Sequence, residues 1–300
     1  MIDKTEILYT FKKSFHISYN KDYFCCVGSN VNLYDFNSGE FVSGFKGIKQ
    51  PNYSRFTSNK NLIVKTTDGN YHIYDLVSNE LVKIIPPPKK VLSSITSFQV
   101  TPDDKYIIDF SYIFPTYKLV IGEIETGEYK FLDIGYARIG FIFKAETDFK
   151  YYVVTNCAEA IDAPDVSFQE FYELTYTAGS YNLKKLFSNH NSRTEITDYS
   201  SNKFAVSDHS NNIKIFDTQG NLQDELEYNK NGVLYDLKLS ANGRYIALAE
   251  SKNVYVYDLM NKECVKSYEV EYGCFVDFID DTKLLIGTWK NGYCVSLFLE

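Results

Sequence analysis

The chain is poor in the residues that most often carry chemistry: of 300 residues, one is tryptophan, two are methionine and four are histidine. No apolar run approaches the roughly 20 residues of a membrane-spanning helix. The N-terminal MIDKTEILYTFKKSF alternates apolar and charged residues where a secretory signal would need an unbroken apolar stretch. A soluble, cytoplasmic protein is expected. Cys25, Cys26, Cys157, Cys264, Cys274 and Cys294 form no C-x-x-C pair and mostly sit in strand-like runs, where cysteine acts as a small hydrophobe. His16, His72, His190 and His209 have no metal-binding or catalytic spacing, and H-E-x-x-H, G-x-S-x-G, the P-loop and G-x-G-x-x-G are absent. No cofactor or metal is therefore expected. The formal charge of −8, from 31 Lys and Arg against 39 Asp and Glu, argues against a nucleic-acid partner, because neutralising phosphates needs a basic surface.

Tyrosine and phenylalanine are abundant, at 26 and 22 residues, and suit strands. They recur in one phrase: NVNLYDFNSGEFV, NYHIYDLVSNELV, NIKIFDTQGNLQD and NVYVYDLMNKECV. The residue in the aspartate place runs Asp35, Asp75, Glu123, Thr177, Asp217, Asp258, Phe298, at spacings of 40, 48, 54, 40, 41 and 40. A period near 40 built from strands alone marks a propeller blade, so the spacing predicts seven blades. Each unit opens with an apolar run, a polar turn and a second apolar run, as in FQVTPDDKYI and LKLSANGRYIAL. Its Asn, Asp, Gly and Pro suit tight hairpins. Four antiparallel strands per unit follow. The aspartates precede turns and are expected to bond hairpin amides, not a substrate.

The pattern resembles the β-propellers of the WD-repeat and YVTN-like type. LSANGRYIAL is similar to their S-P-D-G-x-x-L turn, YVVTN at 152–156 matches the second group's signature, and Tyr-Asp in VYVYDL takes the place of Trp-Asp. Tyr34, Tyr74, Phe216 and Tyr257 occupy the Trp place, while Gly122 and Leu297 depart from it. Without that Trp or a Gly-His pair, the hydrogen-bonded tetrad of the WD family cannot form, and aromatic packing between blades should replace it. The resemblance implies an all-β, seven-bladed propeller with blades near 14–46, 52–86, 95–134, 137–187, 194–228, 233–269 and 272–300. The last blade lacks a fourth strand, which residues 6–11 can supply, leaving no open sheet edge.

Irregularity points to function, since insertions in repeat arrays map to loops and loops carry binding. From first turn to aspartate place, unit 2 takes 16 residues (Asn59 to Asp75), unit 3 takes 20 (Asp103 to Glu123) and unit 4 takes 31 (Glu146 to Thr177). The surplus, NCAEAIDAPDVSFQEF at 156–171, holds Glu159, Ile161, Asp162, Asp165, Phe168, Glu170 and Phe171. SYIFPTYK in unit 3 adds Phe114, Pro115 and Tyr117. In the propellers this chain resembles, such loops share a face with the connections between blades. Aromatic anchors with an acidic rim are an interface mix, so these ten residues are the expected partner contacts. The alternative is that the insertion folds back as a cap over its own blade. KIIPPPKKVLSSI reads as a stiff connector or a proline-rich ligand.

Aligning the inner strands places His16, Arg55, Gln99, Ile142, Asp198, Lys238 and Asp277 at one level of the central channel. Two carboxylates and a histidine there could serve acid–base or metal chemistry, or simply pair with one another. The expected function is a non-enzymatic scaffold binding a protein partner, a basic one given the net charge, with no membrane or nucleic acid involved. Two alternatives stand beside it: a channel-based hydrolase or lactonase, and an acidic immunity or inhibitor protein that binds a basic toxin or enzyme.

Overall fold

A computed structural model describes the chain apart from residues 1, 3, 93–95, 159–166, 178–179, 191–193, 209–211, 229–230 and 298–300. The described residues form strands and no helix, arranged as a seven-bladed β-propeller with four antiparallel strands per blade. Ile7–Lys12 pairs antiparallel with Asn291–Ser296 and completes the last blade, so the ring is closed by its two chain ends. Phe11 is the buried anchor of that closure, packed against Phe24 and Tyr34 of blade 1.

Burial within a blade follows its neighbours. The second strand of blade 6, Tyr245–Glu250, is buried at every residue because adjacent blades cover both of its faces. The outer strand of blade 2, Leu81–Ile85, is exposed along most of its length. Seven apolar cores result, one between each pair of neighbouring blades. Aromatic side chains fill them as expected: Tyr34 stacks on Phe24 at 5.0 Å, and Tyr152 packs at 4.6 Å from Tyr199.

Asp35 accepts the amide hydrogens of Asn37 and Ser38 at 3.0 and 2.8 Å, and Asp75 accepts those of Val77 and Ser78 at 2.9 and 2.7 Å. These bonds to turn amides hold both carboxyls below the usual range. A one-residue bulge between the third and outer strands recurs just before the aspartate, at Tyr34, Tyr74, Phe216 and Tyr257. The repeated aromatic therefore marks a recurrent bend as well as a packing position.

Aromatic packing is not the whole of the inter-blade cement. Between blades 2 and 3, Lys65 and Asp109 form a fully buried ion pair of 2.7 Å. The Lys65 ammonium also donates to the Thr96 carbonyl at 2.7 Å, and Asp109 accepts from the Tyr71 hydroxyl, the Thr96 hydroxyl and the Phe110 amide. A buried pair of this kind persists because its remaining donors and acceptors are satisfied. In the connector after blade 2, Pro88 is buried and the Pro86 carbonyl accepts the Tyr129 hydroxyl at 2.6 Å. That part of the segment is tied to the ring.

Candidate binding face and channel waist

Because the strands alternate in direction, second-to-third turns and blade-to-blade connections open on one face, called here the connection face. Blades 3 and 4 rise above it. Their second and third strands, Tyr106–Ile113 with Thr116–Glu123 and Lys150–Ala158 with Ser167–Thr177, have 8, 8, 9 and 11 residues, against 5 for the corresponding Tyr23–Val27 and Val31–Asp35 of blade 1. Residues 156–158 and 167–171 of the surplus thus extend strands, where a loop was expected.

The two tall hairpins are also joined. Tyr129–Lys144 is a single 16-residue strand, the outer strand of blade 3 and then the inner strand of blade 4. The expected boundary at 134–137 falls inside it. A register row runs from Tyr117 through Ala137 and Cys157 to Phe168, making the two blades one seven-stranded sheet. No Pro or Asn-Gly pair interrupts YKFLDIGYARIGFIFK, so nothing in its turn chemistry divides the sheet. Gly140 lets the sheet close, since a Cβ there would lie 2.1 Å from the Phe110 ring.

Of the expected contacts, Phe114 is 75% exposed at the tip of the blade 3 hairpin beside exposed Pro115, with a cis peptide between them. Tyr117 is half-buried, its ring 5.1 Å from that of Tyr112. Phe168 is half-buried and stacks on His190 at 5.3 Å, while Glu170 is engaged by the Lys185 ammonium and the Tyr172 hydroxyl. Phe171 is a different case. It is fully buried in the core between blades 4 and 5, 4.2 Å from Phe187 and 5.0 Å from Phe204. It lies one strand position from half-buried Glu170 and therefore points to the opposite side of the sheet, so Phe171 is a core residue and no surface anchor. Glu159, Ile161, Asp162 and Asp165 lie outside the described residues.

Sequence reasoning missed other exposed side chains on the connection face. Trp289 is 62% exposed in the second turn of blade 7, and Tyr272, Val233 and Leu92 are exposed on connections between blades. A large aromatic inside a turn, as in GTWKNG, was the available signal. At the turns of the opposite face the large exposed hydrophobics are Val77 and Met260. The faces also differ in charge balance. Exposed lysines of the connection face include Lys13, Lys46, Lys49, Lys89, Lys252 and Lys290, beside Asp68 and Glu271. The opposite face is mixed: its turns expose Asp22, Glu40, Glu80, Glu125, Glu128 and Asp148 together with Lys21, Lys60, Lys105, Arg244 and Lys262.

The inner strands bring His16, Arg55, Gln99, Asp198, Lys238 and Asp277 around the channel, in two chambers of about 360 and 280 Å³ that share Arg55, Gln99, Phe143, Lys238 and Asp277. Ile142 departs from the expected ring. Its side chain packs into the core between blades 3 and 4, while Phe143 stands at the waist and Phe141 lines the chamber toward the connection face. The inner strand of blade 4 is therefore offset by one position.

Lys238 lies 3.1 Å from Asp198 and 3.8 Å from Asp236. Those carboxylates raise its ammonium above the lysine range against the cost of burial. His16 is kept well below its usual range by burial and by Arg55, whose Nη1 is 3.2 Å from its Nε2. Burial pushes Asp277 up to about 7, with Asp198 and Asp236 adding to the effect. Burial also pushes the neighbouring Cys274 thiol up to about 12. Among the described residues no three His, Cys, Asp or Glu side chains are grouped to hold a metal ion. The waist can hold charged groups, and it places no base beside a depressed nucleophile. The chain matches no protein-family model and no curated protein.

Proposed function

We propose that the protein is a non-enzymatic scaffold that binds another protein through its connection face. One observation carries this reading: the large apolar side chains exposed at turns gather there, with Trp289, Tyr272 and Phe114 foremost. Exposed aromatics on a rigid frame bind at low entropic cost and are the residues that dominate interfaces. The likeness of the turns to WD-repeat and YVTN-like propellers supports the same reading. An enzymatic role is not favoured, because the described channel residues set no base beside a depressed nucleophile.

The expectation of a basic partner rested on net charge. The described turns of this face carry lysines instead, which favours a partner offering acidic side chains there, attracted by electrostatic steering. All six cysteines are free thiols. A reducing compartment suits them, and we place the protein in the cytoplasm. Among the described residues no helix is long and apolar enough to cross a membrane.

The test is affinity capture from host lysate with three baits: the wild-type chain, a Trp289→Ala/Tyr272→Ala variant, and a Val77→Ala/Met260→Ala variant. The expected result is a partner retained by the first and third baits and lost by the second. A partner lost by the third bait and kept by the second would place binding on the opposite face.

A further inference from the structure

Among the described residues, the channel waist holds two opposite charges whose hydrogen-bonding capacity is not filled. Arg55 spends Nη1 on the Ser54 carbonyl at 3.0 Å and on His16, and its other guanidinium nitrogens have no partner among the described residues. Asp277, on the inner strand of blade 7, takes no hydrogen bond or ion pair from a described residue, although Lys238 and Arg55 act on it electrostatically and it acts on Tyr19 of blade 1. Lys238 is turned to Asp198 and Asp236. Those two carboxylates are further held by the amides of Leu239, at 2.9 Å, and of Leu237 and Val276, at 2.9 and 3.1 Å. Gln99 donates its amide nitrogen to the Ile142 carbonyl at 2.9 Å, and its oxygen has no partner among the described residues.

What remains unsatisfied at the waist is one edge of a guanidinium and one carboxylate. Both side chains are half-buried and line both chambers, so a molecule in the channel can reach them. A simple anion would answer Arg55 and leave Asp277; a simple cation would do the reverse. A molecule bearing both charges close together answers both. Phe143 at the waist, with Tyr53 and Phe275 in the larger chamber, supplies an apolar wall. The chamber volume of about 360 Å³ suits a small molecule.

We propose that the channel waist binds a small zwitterion of the α-amino-acid class, its carboxylate on the Arg55 guanidinium, its ammonium on the Asp277 carboxylate and its side chain against Phe143 and Phe275. The site lies in the channel, its larger chamber on the side of the connection face, and requires no catalysis.

Calorimetric titration of the full chain with L-leucine and L-phenylalanine tests this, with phenethylamine and 3-phenylpropionate as the separate halves of phenylalanine. At least one amino acid should saturate the protein below about 1 mM, and each half should bind about tenfold more weakly or worse. Asp277→Asn and Arg55→Gln, shown to be folded by their thermal melts, should each lose about tenfold or more in affinity. An independent readout uses the wild-type chain alone. Near pH 6.5, binding should release protons as the ammonium draws Asp277 into its ionised form, seen as a heat that depends on the buffer. The proposal is overturned if neither amino acid binds, if either half binds as tightly as the whole, if folded variants keep wild-type affinity, or if binding releases no protons.

Discussion

Blades 3 and 4 differ from blades 5 to 7 in how they are cut apart. In blades 5 and 6 an aspartate closes the third strand, a bulge bends the sheet at the preceding aromatic, and the next blade begins a new sheet. In blades 3 and 4 the aspartate place holds Glu123 and Thr177, and one strand runs from the rim of one blade to the centre of the next. The fusion lies at the junction of the two blades, where the chain runs on as one strand; blade 4, with Thr177 in the aspartate place, still forms a sheet separate from blade 5. The fused pair makes a tall, stiff wall on the connection face, while the regular blades offer that face exposed Trp289 and Tyr272 at low turns.

The largest expected effect breaks the regular half at its closure. Deleting residues 1–12 removes Phe11 and opens a strand edge; loss of a buried Phe alone costs about 3–5 kcal/mol, so the melting temperature should fall by on the order of 10 °C or more. A truncated chain melting like the full one would refute closure by the N-terminal strand. Next is the junction with the fused half. Asp109→Ala strands the Lys65 ammonium in the interior and should cost about 3–5 kcal/mol in denaturant unfolding, whereas Lys65→Met with Asp109→Leu should recover much of that loss.

Within the fused sheet, Gly140→Ala drives a methyl into the Phe110 ring and should cost about 1–3 kcal/mol, relieved by Phe110→Leu in the same background. The last effect belongs to the channel and depends on pH. The folded Asp277 carboxyl has a pKa of about 7 against an ordinary 3.8, so between these values the native state binds the extra proton and stability falls as pH rises through the window. Asp277→Asn should therefore melt higher than wild type at pH 8, with the gain vanishing toward pH 4. A gain that grew on acidification would contradict this sign.

Much of the fold was legible because the repeated phrase encodes backbone chemistry directly: an aspartate ahead of a turn bonds amides whatever lies around it. The fusion of blades 3 and 4 was not legible. Two adjoining strands and one continuous strand have the same apolar composition, and only the missing turn between Ile134 and Gly140 separates them. Register in FIFK was equally mute, since a strand apolar on both sides carries no alternation to read. Lys65, set among the apolar residues of LIVKTT, went unread, and its distant partner Asp109 could come only from the structure. At the candidate binding face, Phe114 stood where its turn put it, whereas Phe171 turned inward once the loop proved to be strand.

The most direct test of the connection face as the binding surface is hydrogen–deuterium exchange of the captured complex against the free protein. The account predicts added protection at residues 13–15, 112–117, 270–272 and 287–291, and none at turns 76–80 and 259–262. Protection confined to those last two turns would contradict it.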